Sequence, residues 1–64
     1  MEILTPQELR AYRAILQLSL QDVERETGIT RVTISKYEKG KGNSLRTMQK
    51  LTDFYNNLIN GKED

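Results

Sequence analysis

Cysteine and histidine are both absent from this chain of 64 residues. Without cysteine, disulfides and thiolate metal sites are excluded. Without histidine, the chain lacks the usual general base and the commonest nitrogen ligand of metals. No paired carboxylates stand out as an alternative route to acid–base or nucleophilic chemistry. We therefore expect no metal, no cofactor, no small-molecule ligand and no enzymatic activity.

The sequence also has no apolar run long enough to span a membrane, and no charged-then-apolar segment at its start. We therefore expect no membrane partner and a reducing, cytoplasmic setting. A chain this short buries a small core and has marginal stability. Since no internal repeat, linker or low-complexity segment interrupts it, we expect a single domain over residues 1–64.

The distribution of charge is more informative than its sum, which is +1. Between Arg31 and Lys50 there are six lysines and arginines but a single acid, Glu38. Such an asymmetry favours a polyanionic partner. A basic surface that is merely solvated would give the same pattern.

Cap residues and apolar spacing predict four helices. Thr5 caps the first, with Pro6 at its first position and Glu8 placed for a capping box. Ser19 caps the second, and Thr30 the third. The predicted helices span about 6–17, 20–27, 31–39 and 45–59, and residues 60–64 are expected to form a frayed polar tail.

The segment from Thr30 to Gly40 has two unlike faces. Ile34 and Tyr37 fall on an inward face by helical spacing. Two long cations, a hydroxyl and a methyl-rich side chain fall on the other face, in Arg31, Val32, Ser35 and Lys36. This combination suits a helix that lies in the major groove of DNA. Gly28, before this segment, allows the tight turn of a helix-turn-helix.

Several of these residues, taken together, resemble the Cro/CI-type helix-turn-helix family, also called the XRE family. The resemblance extends from about Leu9 to Leu51 and depends on Arg13, Ser19, Val23, Gly28-Ile29-Thr30 and the run from Thr33 to Lys41. It implies an all-α fold, a compact bundle of four to five short helices of the lambda-repressor-like DNA-binding type, with the helix-turn-helix at helices two and three. It also implies a repressor or Cro-like regulator, of the phage or mobile-element kind, that binds operator DNA as a homodimer.

The resemblance assigns roles to individual residues. Base-facing positions fall on Arg31, Val32, Ser35 and Lys36, and backbone-phosphate contacts fall on Ser19, Gln21, Thr33, Lys39, Lys41, Asn43 and Arg46. Two alternatives stay open. Arg31 and Lys36 would touch only phosphate if they follow the commoner behaviour of cations at DNA interfaces, and Val32 would be an ordinary core residue if it turned inward.

The resemblance also pairs Arg13 with Glu38 as a structural ion pair, although two independent surface charges remain the alternative. Two residues depart from the family pattern. Leu20 stands where a glutamine often helps to bind phosphate, so that role is either lost or passes to Gln21. Glu24 stands where a small alanine is favoured, so it must turn outward or pair with a cation such as Arg25, Arg31 or Lys36. It weakens DNA binding if it lies beside the DNA face.

The last predicted helix carries more apolar residues than one buried face requires. Phe54, Tyr55, Leu58 and Ile59 are therefore a candidate protein interface, with ordinary core packing as the alternative. The departures at Leu20 and Glu24, the weak net charge and the short chain fit a second hypothesis. The chain would then be a small modulator, antirepressor or antitoxin that acts chiefly by binding a repressor or toxin in a hetero-complex.

Overall fold

Four α-helices make up the computed structural model, which describes residues 3–60. They are α1 (Pro6–Ile15), α2 (Leu20–Thr27), α3 (Arg31–Glu38) and α4 (Leu45–Asn60). No strand occurs within the described range. The predicted all-α fold, with a helix-turn-helix formed by the second and third helices, is thereby confirmed.

The first three helices begin where their cap residues predict. The Thr5 hydroxyl accepts a hydrogen bond from the Glu8 backbone N–H at 3.1 Å, and the Glu8 carboxylate accepts one from the Thr5 N–H at 2.9 Å. Ser19 and Asp22 form the same reciprocal pair at the start of α2, with both bonds at 3.0 Å. Thr30 caps α3. Each cap satisfies N–H groups that have no partner inside the helix.

The helix ends differ from the prediction. α1 stops at Ile15 rather than 17, because Gln17 adopts a left-handed backbone with φ +57°. The N–H of Leu18 then bonds back to the Arg13 carbonyl at 2.9 Å, which closes the helix. α3 stops at Glu38, one residue early, and α4 continues one residue further to Asn60. The rest of the predicted tail, residues 61–64, lies outside the described residues.

All four helices contribute to one core. Its fully buried side chains are Leu9, Val23, Ile34, Leu51 and Tyr55, with Tyr37 almost as deep. The rings of Tyr12 and Phe54 pack on Tyr55, with centroids 6.2 and 5.0 Å away. The prediction that Tyr55 belongs to a protein interface is therefore wrong, because this ring fills the centre of the core. Desolvation there raises the pKa of Tyr55 to about 12.

A short turn joins α2 to α3. Gly28 has φ +78°, in the left-handed region that favours glycine, and its N–H bonds to the Glu24 carbonyl at 2.8 Å. Ile29 follows, half-buried against the core, and Thr30 then caps α3. This geometry fixes α3 beside α2 with one face of each helix open to solvent.

The loop between α3 and α4 is held by the ring of Tyr37. Its phenol oxygen accepts a hydrogen bond from the Ser44 N–H at 2.8 Å, and the ring lies directly beneath Gly42. Burial raises the pKa of the Tyr37 phenol, but hydrogen bonds from Ser44, Thr47 and Asn43 outweigh it and leave the pKa below its ordinary value. The loop therefore leaves α3 in a fixed direction, with Lys41 and Asn43 at the surface.

Candidate nucleic-acid interface

The open face of α3 borders a shallow groove of about 420 Å³. Ile34, Tyr37 and Glu38 of this short helix are buried, whereas Arg31, Val32 and Lys36 are exposed. The groove is lined by Leu20, Arg31, Val32, Ser35, Lys36, Lys39 and Lys41. The structure thus brings the four predicted base-facing residues together, with Lys39 and Lys41 beside them.

Val32 is the most exposed large apolar side chain of the described chain, at 74%. The alternative that it belongs to the core is therefore excluded. Leu20, which departs from the family pattern, lines the same groove. The groove therefore combines two apolar side chains with four cations, and these groups match the methyl groups and phosphates of DNA.

The other predicted phosphate-binding residues are more scattered. Gln21 is exposed on α2, Asn43 is exposed in the loop, and Thr33 is half-buried on α3. The Ser19 hydroxyl accepts a hydrogen bond from Asp22 but keeps its own proton for donation. Arg46 is not part of the groove, and lines a separate depression on α4 with Leu45, Gln49, Lys50 and Asp53.

Arg13 and Glu38 form a bidentate ion pair. Arg13 Nε lies 2.7 Å from Glu38 Oε2, and its Nη2 donates to Oε1 at 3.0 Å. A further bond runs from Nη1 to the Leu18 carbonyl at 3.2 Å. The hydrogen bond to Glu38 holds the pKa of Arg13 above its ordinary value. The pair therefore ties α1, the loop after it and the end of α3 into one unit that orients the groove.

Arg10 is a structural residue that the sequence reasoning missed. Its Nη1 donates to the Glu38 backbone carbonyl at 2.6 Å, near the carboxyl end of α3, where carbonyl groups lack partners inside the helix. A signal was present, because Arg10 precedes Arg13 by three residues and so lies on the same side of α1. Two arginines of α1 thus hold the end of α3.

Glu24 lies against Arg31, one of its three candidate cations. Its Oε1 lies 3.2 Å from Arg31 Nε, whereas Arg25 pairs instead with Asp22 at 2.8 Å. The Glu24–Arg31 contact has the distance of an ion pair, but its angles are not those of a hydrogen bond, since Oε1 is buried and has no hydrogen-bond partner. A carboxylate therefore lies against the first residue of α3, at the edge of the groove.

The described residues contain neither a metal-binding cluster nor a membrane-spanning helix. Within residues 3–60, no group of three or more His, Cys, Asp or Glu side chains is arranged to hold a metal. Over the same residues, no helix is both long and apolar enough to cross a membrane.

Comparison with known proteins is consistent with this geometry. A family profile described as helix-turn-helix matches residues 9–61. A protein of Methanocorpusculum labreanum, named "Putative HTH-type transcriptional regulatory protein", is 40% identical over 53 residues, which are 83% of this chain and 17% of that protein. A protein of the same name from Methanoculleus marisnigri is 42% identical over 48 residues, 75% of this chain and 16% of that protein. The chain thus spans about a sixth of the length of these relatives. No solved structure matches it significantly.

Proposed function

Because this chain belongs to the helix-turn-helix family, we propose that it is a sequence-specific transcriptional regulator that binds double-stranded DNA. In this proposal α3 lies in the major groove and presents its first residues to the base edges. The observation that carries the proposal is the groove beside α3, in which base-facing side chains and cations converge. The names of the two relatives support the same conclusion.

Four side chains of α3 have the chemistry to distinguish bases. Arg31 and Lys36 are exposed cations that can donate to O6 and N7 of guanine. Val32 can pack on the methyl group of thymine. Because its side chain is largely exposed, this contact would remove apolar surface from water. Ser35, beside them, can donate to or accept from either kind of base edge.

Contacts to the phosphate backbone would set the position of α3. Lys39 and Lys41 adjoin the groove and are exposed, so they are the foremost candidates. Further contacts are proposed for Ser19, Gln21, Thr33, Asn43 and Arg46. These contacts contribute affinity that does not depend on sequence and that weakens with salt.

We propose that the regulator acts sterically, as a repressor of the Cro type. One such domain buries little surface, so specific binding at physiological salt requires a second copy. A homodimer would place two α3 helices in successive major grooves, about 34 Å apart on one face of the duplex. A promoter overlapped by such a complex would be closed to transcription.

The end of α4 is the proposed dimer surface. Leu58 and Ile59 are 36% and 44% exposed there, and Phe54 is half-buried beside them. Ile59→Glu should therefore give a monomer at concentrations where the wild type is a dimer, as measured by sedimentation equilibrium. The matched control is Ile15→Glu, which changes an exposed isoleucine of α1 and should leave the protein dimeric. Equal masses for all three proteins would reject this surface, and a wild-type monomer would favour a partner of another kind, such as a repressor or toxin.

Selection from a randomised duplex library tests the proposed function. The wild type should recover a defined sequence. Arg31→Ala should lose discrimination at one base pair by roughly 5- to 150-fold, the range for one bidentate base contact. Lys39→Ala should weaken binding to all sequences about equally, because a phosphate contact carries no base information. If the wild type enriches no sequence, the proposal is wrong.

A further inference from the structure

We propose that Glu24 is a positioning residue that makes Arg31 contact bases rather than phosphates. The inference rests on the proposed function and extends it to a residue that contacts no DNA itself. A carboxylate beside a DNA-binding face is expected to oppose binding, because it repels the polyanion. The geometry around Arg31 gives this carboxylate a second effect.

The closest approach between Glu24 and Arg31 is at one particular nitrogen. Glu24 Oε1 approaches Nε of Arg31, at 3.2 Å. The two Nη groups at the end of the guanidinium remain available, and their parallel N–H groups form the fork that binds O6 and N7 of guanine. Arg31 is also more than half exposed, so this fork projects toward solvent. Glu24 therefore holds the stem of the side chain and leaves its specific end unoccupied.

Arg31 needs such a support, because it lies at the first position of α3. A long flexible cation there has many rotamers, and several of them would reach a phosphate. Glu24 acts against those rotamers in two ways. It attracts the guanidinium to α2, and its negative charge repels phosphate from the same place. We infer that Glu24 lowers the affinity for DNA of any sequence and increases the preference for guanine.

Arg25, a second cation beside this pair, has a partner of its own. Arg25 is engaged with Asp22 at 2.8 Å, so it does not neutralise Glu24. A small depression of about 280 Å³ opens beside the pair, between Gln21, Glu24, Arg25 and Arg31. The guanidinium is therefore open to solvent on this side, where the carboxylate of Glu24 lies against it.

A purely structural role for this pair predicts a different result. Ion pairs between partly exposed side chains contribute little to folding. Glu24→Gln keeps the size of the side chain and removes its charge, so it should leave thermal unfolding nearly unchanged. Its effect should instead be found in DNA binding.

The test compares Glu24→Gln with Glu26→Gln on two probes, the duplex selected by the wild type and a mixed-sequence duplex of equal length. Glu26 is exposed on the same helix, two positions away, so it faces a different direction. Both variants change the net charge equally. For Glu24→Gln we expect mixed-sequence binding to tighten, with a salt slope steeper by about 0.9, the value of one added phosphate contact. The ratio of specific to mixed-sequence affinity should fall by about 10-fold, within the range for one bidentate base contact.

Glu26→Gln should change both affinities by the same factor and leave the ratio intact. In the background of Arg31→Ala, Glu24→Gln should no longer lower the ratio. If Glu24→Gln behaves like Glu26→Gln, or lowers the ratio equally without Arg31, the inference is overturned while the proposed function stands. If the wild type selects no sequence, the proposed function fails, and this inference with it.

Discussion

Arg13→Met is expected to leave much of the protein unfolded at room temperature. The substitution leaves the Glu38 carboxylate, whose side chain is 6% exposed, buried without its ion-pair partner. Removing one partner of such a pair costs about 3–5 kcal/mol. A core of this size rarely supplies more than about 3–5 kcal/mol in total. Urea unfolding followed by circular dichroism would measure the loss.

The opposite substitution should cost less. Arg13 is 25% exposed, so in Glu38→Gln the guanidinium can still reach water. The double variant Arg13→Met/Glu38→Leu removes both charges and should recover much of the stability lost in Arg13→Met, because apolar side chains can replace a buried pair at little cost. The Arg10 bond to the backbone of residue 38 remains possible in all three. An unfolding free energy for Arg13→Met within about 1 kcal/mol of the wild type, a typical surface-pair value, would contradict the account.

Gly42→Ala is expected to be the second most damaging substitution. A β-carbon at this position would overlap the buried ring of Tyr37, and the ring cannot move aside without breaking its hydrogen bond with Ser44. Overpacking of this kind costs about 1–3 kcal/mol, and occasionally more. Thermal unfolding should show a clear drop in midpoint.

Gly28→Ala is the matched control for the lowered thermal-unfolding midpoint of Gly42→Ala. Gly28 has a left-handed backbone, but nothing lies within 4 Å of the added carbon. Its cost is therefore conformational only, about 1–2 kcal/mol. Combining Gly42→Ala with Tyr37→Leu should reduce the damage relative to the sum of the two single variants, since the ring is the obstacle. Strict additivity of the two changes would show that the overlap is not the cause.

The helix starts were predictable from sequence because their signals are local. Thr5 with Glu8 and Ser19 with Asp22 lie three residues apart, within reach of each other in any helix. The end of α1 was not predictable in the same way. It depends on a left-handed backbone at Gln17, a residue type with no particular preference for that conformation.

In α4, helical periodicity predicts which residues form the apolar stripe but not how deeply each of them is buried. Leu51, Tyr55 and Leu58 follow one stripe by spacing, yet the first two are fully buried and Leu58 is 36% exposed. The difference depends on whether another helix covers each turn. Spacing defines a stripe, whereas the neighbours decide how much of it is buried. Tyr55 was consequently predicted at an interface although it forms part of the core.

The candidate site was predictable in outline but not in its partners. The outward face of α3 followed from the positions of Ile34 and Tyr37, because a helix has a fixed period. Glu24 pairs with Arg31 rather than with the other two candidate cations because of how α2 packs on α3. The Arg10 bond to Glu38 joins residues 28 positions apart. Such pairings are set by tertiary packing, and the spacing of Arg10 and Arg13 places both on one side of α1 without identifying their partner.

We propose that the groove beside α3 binds DNA. The most direct test is fluorescence anisotropy of a short labelled duplex of mixed sequence, titrated at several salt concentrations with the wild type and with Lys39→Ala/Lys41→Ala. We predict a linear fall of log affinity with log salt. The double variant should reduce the slope by about 2, one for each lost phosphate contact. Absence of binding by the wild type even at low salt, or a slope that the double variant leaves unchanged, would contradict the claim.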